Sequence, residues 1–125
     1  MTGRLRPATT YAVIVGQVLA VRRQHADIDQ AAMAAGVGLS QSTWSRIERG
    51  ASALSIEQLA AAARVLGTTP GALLGHADKT ADTCRRCGVL VARNIDFDHA
   101  GLVVVDVRAV AGLVGIAAKP SKKKD

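Results

Sequence analysis

Apolar residues recur every three or four positions through the first 75 residues, and this spacing predicts a series of short helices. In the first helix, Val15, Val18 and Leu19 share one apolar face. Each predicted helix follows a residue whose side-chain oxygen can accept a backbone N–H group, and several end near a glycine. The first predicted helix is capped by Thr9 or Thr10 and continues to about Gln24. The second runs from Gln30 to about Val37 with Asp29 as its cap, and the third from Gln41 to Arg49 with Ser40 as its cap. The fourth runs from Ile56 to Gly67 after Ser55, and the fifth from Pro70 to about Leu74 after Thr69.

The C-terminal part follows a different pattern. The stretch HADKTADTCRRCG predicts a further helix that ends at Gly88, and VLVA predicts a strand. The stretch HAGLVVVDVRAVAGLVGIAAK stays ambiguous, because its Val-rich half favours a strand and its Ala-, Gly- and Leu-rich half favours a helix. We therefore expect a mainly α protein with a small α/β extension at its C-terminal end.

The second and third helices are joined by a turn that contains Gly38, and two short helices joined in this way form a helix-turn-helix unit. In the third helix, Trp44 and Ile47 are three residues apart and should face the core together with Leu39. The opposite face carries short polar groups and arginines, which are the residue types that contact base edges and phosphates. That face consists of Gln41, Ser42, Ser45, Arg46 and Arg49.

The segment MAAGVGLSQSTWSRIERG resembles the helix-turn-helix of the lambda-repressor/Cro-like family, also called the XRE family. The resemblance extends from about Val15 to Leu74, which covers all five helices and about half of the chain. It implies a five-helix DNA-binding domain whose third helix enters the major groove of double-stranded DNA.

The resemblance also implies a role for each matched residue. Gln41 opens the recognition helix, and a Gln side chain suits a bidentate contact with adenine. Gln30 would bind a phosphate and brace Gln41, whereas Trp44 is expected in the core, and Glu48 is expected to pair with Arg22 or Arg23. The implied base contacts are Gln41, Ser42, Ser45 and Arg46, and the implied phosphate contacts are Gln30, Thr43 and Arg49.

Composition agrees with a folded protein that binds a polyanion. Of the 125 residues, 49% are hydrophobic and 21% charged, and 16 Lys and Arg against 10 Asp and Glu give a net charge of +6. Aromatic residues make up only 2%, which argues against a protein that stacks single-stranded bases on aromatic platforms. The N-terminus lacks the pattern of a signal peptide, so we expect the cytoplasm, with association to the nucleoid through DNA.

Charge divides the chain into three parts. Residues 1–75 carry a net +3, residues 76–118 are neutral, and the last seven residues carry the remaining +3. We therefore expect a DNA-binding domain over 9–75, a C-terminal dimerisation or interaction region over 76–118, and a basic disordered tail over 119–125.

Cys84 and Cys87 form a CxxC motif, for which His76 and His99 are conceivable additional metal ligands. A structural zinc site normally shows four ligands at recognisable spacing, and one CxxC falls short of that. The pair more readily fits a helix in which Cys84 faces the core as a small apolar residue. We expect no metal, no cofactor and no catalytic site.

The apolar run from Gly101 to Ala118 approaches the length of a membrane span, but Asp106 and Arg108 lie near its middle. We therefore expect it to be buried in protein rather than in a bilayer. A second copy of the chain is the simplest surface to cover it. The expected interface residues are Val103, Val105, Val107, Leu113 and Ile116.

These observations favour a sequence-specific transcription regulator, most simply a repressor that binds operator DNA as a homodimer. The competing hypothesis is an antitoxin-type protein that binds DNA with the same domain and a partner protein through residues 76–118. A ligand-sensing regulator is a third class, for which the sequence suggests no pocket.

Overall fold

The computed structural model of the chain describes residues 6–92 and 102–104. Within these residues, five helices are followed by two short strands and preceded by one. The elements are β1 Arg6–Thr10, α1 Tyr11–His25, α2 Gln30–Val37, α3 Gln41–Glu48, α4 Ile56–Leu66, α5 Pro70–Arg86, β2 Leu90–Ala92 and β3 Leu102–Val104.

All five helices begin where the capping residues predict. The side-chain oxygen of each cap accepts a hydrogen bond from the backbone N–H three residues later, which satisfies a group that the helix itself leaves unpaired. At α4, Ser55 and Gln58 complete a reciprocal capping box. The five caps are Thr10, Asp29, Ser40, Ser55 and Thr69.

Helix α5 is longer than the sequence pattern predicts. The expected short helix to about Leu74 and the separate helix before Gly88 form one continuous helix, so the predicted break is wrong. A glycine at position 75 costs a helix about 1 kcal/mol relative to alanine. Burial of Leu73 before it and of Ala77 and Ala81 after it, all about 1% exposed or less, outweighs that cost.

A parallel sheet lies beside the helices, and its central strand β1 was not predicted. The strand order is β2-β1-β3, with Ala8 opposite Leu90 on one side and Val104 on the other. The strand prediction for VLVA is confirmed by β2, and β3 falls in the Val-rich half of the ambiguous stretch. The mainly helical fold class with a small sheet is therefore correct, but the sheet takes its central strand from residues before α1.

The core lies between the five helices, and it includes residues beyond position 75. Trp44, Ile14, Leu19, Met33 and Leu73 are its largest fully buried side chains. Farther along the chain, this core also takes in Ala77, Ala81, Cys84 and Val89. Helix α5 thus runs through the expected boundary between 75 and 76, and residues 77–89 contribute to packing within the helical part.

Several expectations concern residues outside the described ranges. They include His99, the basic tail, and the expected interface residues Val105, Val107, Leu113 and Ile116. Among the helices that the structure describes, none is both long enough and apolar enough to cross a membrane.

Candidate nucleic-acid interface

Helices α2 and α3 are joined by the tight turn that the sequence predicts. Gly38 adopts the left-handed conformation, with φ of 84°, which a residue without a side chain adopts at little cost. The N–H of Leu39 then returns to the carbonyl of Ala34 at 2.9 Å. Ser40 caps α3 through the N–H of Thr43, and its hydroxyl also lies 2.9 Å from the Thr43 hydroxyl. The turn therefore sets the direction in which α3 leaves α2.

Helix α3 has one buried and one accessible face. Trp44, Ile47 and Glu48 are buried, with exposed fractions of 0%, 3% and 5%. Six of the seven predicted contact residues lie on this helix or at its C-cap, and none of them is buried. Gln41, Ser42, Arg46 and Arg49 are exposed, whereas Thr43 and Ser45 are half-buried.

The two arginines of the accessible face are each hydrogen-bonded to a serine. A terminal guanidinium nitrogen of Arg49 donates to the hydroxyl of Ser45 at 2.8 Å, one turn earlier on the same helix. The Nε of Arg46 lies 3.4 Å from the hydroxyl of Ser52, in the connection to α4. The accessible face therefore combines two cations with small hydroxyl groups, and the carboxylate of α3 points to the opposite side.

That carboxylate, on Glu48, joins three helices. Arg23 of α1 donates from Nε to Oε2 at 2.6 Å and from a terminal nitrogen to Oε1 at 3.1 Å. Gln30 of α2 donates to Oε1 at 2.9 Å, and the indole of Trp44 donates to Oε2 at 2.6 Å. Arg23 also donates to the carbonyl of Ile28. This network confirms pairing of Glu48 with an arginine of α1 and identifies Arg23 as the partner.

Gln30 is placed differently from the expectation that it braces Gln41. Its side-chain amide nitrogen is hydrogen-bonded to Glu48, and the side chain is half-buried at the start of α2. An amide NH₂ group carries two donors, and the hydrogen bond to Glu48 uses one of them. Gln30 therefore belongs to the network that fixes α3.

Close backbone contact between α1 and the end of α3 depends on two glycines, Gly16 and Gly50. The sequence predicts Gly50 as the end of α3, but it did not predict the contact at either glycine. A Cβ atom at Gly16 would lie 2.6 Å from the carbonyl oxygen of Glu48 and still closer to that of Ile47. A Cβ atom at Gly50, which has a φ of 75°, would lie 2.6 Å from the Cα atom of Val13. The signal available in the sequence was Gly16 between the apolar residues Val15 and Val18, since a glycine lets two backbones approach closely.

The two cysteines differ in environment. Cys84 is buried at 1% exposure in the core, which confirms its prediction as a core residue, and burial raises the pKa of its thiol. Cys87 is exposed at the end of α5. In the described part of the chain, no three His, Cys, Asp or Glu residues come together in a group that could hold a metal ion.

Fold and accessible face together define a DNA-binding protein of the helix-turn-helix class. Residues 14–77 match the family model described as a helix-turn-helix domain. The match covers just over half of the chain, and the chain therefore belongs to this family.

Two solved structures of one other protein show the same fold. The clp gene regulator ClgR from Corynebacterium glutamicum is similar in one structure with a TM-score of 0.60 and 22% identity, over 62% of this chain and 82% of that one. A second structure of ClgR gives a TM-score of 0.54 and 24% identity, over 56% and 91%. A hydroxypropylphosphonic acid epoxidase from S. wedmorenis is 35% identical over 50% of this chain and 33% of its own, with a TM-score of 0.46. No curated protein matches the chain.

Proposed function

We propose that the protein is a lambda-repressor/Cro-like transcription regulator that recognises an operator in double-stranded DNA through helix α3 and acts as a repressor. Gln41, Ser42, Ser45 and Arg46 contact base edges in the major groove. Gln30, Thr43 and Arg49 contact the phosphates on either side. The protein works in the cytoplasm, on the DNA of the nucleoid.

One observation carries this proposal, namely the separation of charge across α3. The helix exposes Arg46 and Arg49 beside small hydroxyl groups, while its acidic residue, Glu48, is buried and paired with Arg23. An outward carboxylate would repel the phosphate backbone, and an inward one leaves the accessible face purely cationic and polar. Such a face suits a polyanion better than a solvent-exposed helix of mixed charge.

A homodimer follows from the reach of a single recognition helix, which contacts only a few base pairs. Two copies would place their recognition helices in successive major grooves, about 34 Å apart. Since residues 77–89 pack largely within their own chain, we assign the contact between copies to the part of 76–118 beyond them. Val105 and Leu113 are two of the apolar residues assigned to that contact.

DNA recognition is tested by selecting bound sequences from a pool of random duplexes with the full-length protein. Affinity for the selected and a scrambled duplex is then measured by fluorescence anisotropy. Gln41→Ala should weaken binding to the selected duplex by about 1–3 kcal/mol and leave the scrambled one unchanged. Arg49→Ala should weaken both and reduce the salt dependence.

Gln24→Ala, a change of the same kind at an exposed position of α1, is the matched control and should alter neither affinity. Equal losses on both duplexes for Gln41→Ala would remove this residue from base recognition. Failure of the pool to yield any preferred sequence would contradict the proposal as a whole.

The dimer is tested by sedimentation of the full-length protein at micromolar concentration, with circular dichroism to check its helix content. Val105→Asp and Leu113→Asp should convert dimer to monomer without loss of helix. A wild-type protein that sediments as a monomer with and without the selected duplex would contradict the dimer. Truncation after Leu74 is unsuitable, because it removes the buried residues Ala77 and Cys84.

A further inference from the structure

Four basic side chains come together on α1 and α5, outside the face of α3 described above. They are Arg22, His25, His76 and Lys79, and we call them the α1–α5 basic cluster. His25 and Lys79 are exposed, and Arg22 and His76 are half-buried between the two helices.

The geometry of the cluster brings cationic groups to one place from two helices. The Nε of Arg22 donates to Nδ1 of His76 at 3.3 Å, across the packed surface of α1 and α5. His25 follows Arg22 by three residues, and Lys79 follows His76 by three, so each pair lies on adjacent turns of its helix. The result is a surface to which both α1 and α5 contribute basic side chains.

Electrostatics within the cluster is unfavourable in the protein alone. Burial lowers the pKa of His76, and the positive charges of Arg22, Lys79 and His25 lower it further. In the described residues, the ion pairs are Arg23–Glu48 and Arg86–Asp82, and neither includes a member of the cluster. An anion placed here would be attracted by the charges of Arg22 and Lys79.

Nearby carboxylates are mostly engaged elsewhere. Asp29 caps α2 through the N–H of Ala32, and Asp78 accepts the hydroxyl of Tyr11 at 2.7 Å. Asp82 pairs with an arginine of the last turn of α5. The exposed Asp27, in the connection that follows α1, is the remaining acidic group near this end of the helix.

The position of the cluster connects it to the recognition unit. Arg23, the residue between Arg22 and Gln24, fixes the end of α1 to Glu48 of α3. His25 ends α1 and precedes Gln30, a proposed phosphate contact, by five residues. The cluster therefore lies at the end of α1 that precedes α2 in the chain, whereas Arg23 between its members faces α3.

We propose that the α1–α5 basic cluster binds backbone phosphates of DNA beyond the base pairs read by α3. This second contact rests on the proposed function and extends it, since it recognises phosphate charge rather than sequence. It lengthens the DNA segment that one copy of the protein occupies, and it adds affinity without adding base preference.

The test uses the full-length protein and two duplexes, the selected operator alone and the same operator with about ten more base pairs, one helical turn, on each side. For the wild type, the longer duplex should bind more tightly and with a steeper salt dependence. Lys79→Ala should reduce the slope of log affinity against log salt by about 1 on the longer duplex only. Arg22→Gln should do the same.

Arg86→Ala is the matched control, because it removes one cation of α5 that is already paired with Asp82. It should leave both slopes unchanged. Equal slopes for wild type and Lys79→Ala on the longer duplex would overturn the inference. If Arg86→Ala also reduces the slope of log affinity against log salt on the longer duplex, the effect comes from net charge alone. That result would also overturn the inference.

A free phosphate compound is the other source of the same chemistry, and inorganic pyrophosphate is the probe for it. Saturable shifts of the His76 and His25 ring resonances with pyrophosphate, together with no effect of the flanking DNA, would overturn the assignment to DNA. Failure of the proposed function is recognised separately: Gln41→Ala and Arg49→Ala would then leave operator binding unchanged, whatever happens in the Lys79 variant.

Discussion

The indole N–H of Trp44 donates to Oε2 of Glu48 at 2.6 Å, one turn farther along the same helix. This contact makes the largest buried side chain of the core a hydrogen-bonding partner of the residue that Arg23 pairs with from α1. Core packing and the orientation of α3 are therefore coupled through one carboxylate. A change at Glu48 acts on the fold and on the nucleic-acid interface together.

The first prediction concerns this carboxylate. Glu48→Ala leaves the Arg23 guanidinium buried without its partner, and it should lower the free energy of unfolding by about 3–5 kcal/mol. Urea denaturation followed by circular dichroism measures the change. Glu57→Gln, at an exposed position of α4, is the control and should change it by no more than about 0.5 kcal/mol. A loss below about 1 kcal/mol at position 48 would show that the network is replaceable.

The second prediction compares two glycines within helices. Gly16→Ala places a methyl group against the carbonyl oxygens at the end of α3, and it should cost about 1–3 kcal/mol. Gly75→Ala meets nothing within 4 Å and should stabilise α5 by up to about 1 kcal/mol. In thermal unfolding, the Tm should therefore fall for Gly16→Ala and rise for Gly75→Ala. A harmless Gly16→Ala would contradict the close contact of α1 with α3.

The third prediction concerns acid sensitivity. Because the pKa of His76 is lowered in the folded protein, the unfolded chain takes up a proton more readily as the pH falls through the ordinary value of histidine. The free energy of unfolding should therefore decrease between about pH 7 and pH 5.5, and His76→Gln should lose less over that range. Near pH 8, His76 is neutral in the folded and the unfolded chain. The difference in the free energy of unfolding between wild type and variant at that pH therefore serves as the reference. If the free energy of unfolding depends on pH in the same way for the wild type and His76→Gln, His76 is not the source of the acid sensitivity.

The fourth prediction concerns the thiols. Cys84 is buried and its pKa is raised, whereas Cys87 is exposed, so an alkylating reagent should modify Cys87 at once and Cys84 only as the protein unfolds. Peptide mass spectrometry after native and denaturing incubation separates the two rates. Cys84→Ala should fold and lose a modest amount of stability. Rapid modification of both residues in native buffer would be inconsistent with the packing of α5.

Local features of the chain could be predicted, and features that depend on distant contacts could not. The caps Asp29 and Ser40 satisfy neighbouring N–H groups, so the sequence alone determines where their helices begin. The continuity of α5 past Gly75 depends on burial against other helices, which a local pattern does not contain. Strand β1 is held by partners far along the chain, and its own five residues give no strand pattern.

In the candidate site, too, local features could be predicted and features that depend on distant contacts could not. Outward placement of Gln41 and Arg46 follows from the helical period of α3, and it agrees with the sequence prediction. The choice of Arg23 rather than Arg22 as the partner of Glu48, and the attachment of Gln30 to the same carboxylate, depend on how α1 crosses α3. Helical periodicity describes each helix separately and does not contain that crossing.

The central position of β1 has a consequence for the order of events during synthesis. Ala8 pairs with Leu90, 82 positions later, and Arg6 pairs with Leu102, so β1 leaves the ribosome long before either neighbour exists. The helices that follow it make nearer contacts and can assemble first, since loop closure over short distances costs less entropy. The sheet then closes last, and its formation joins a strand that precedes the five helices to two strands that are translated after them.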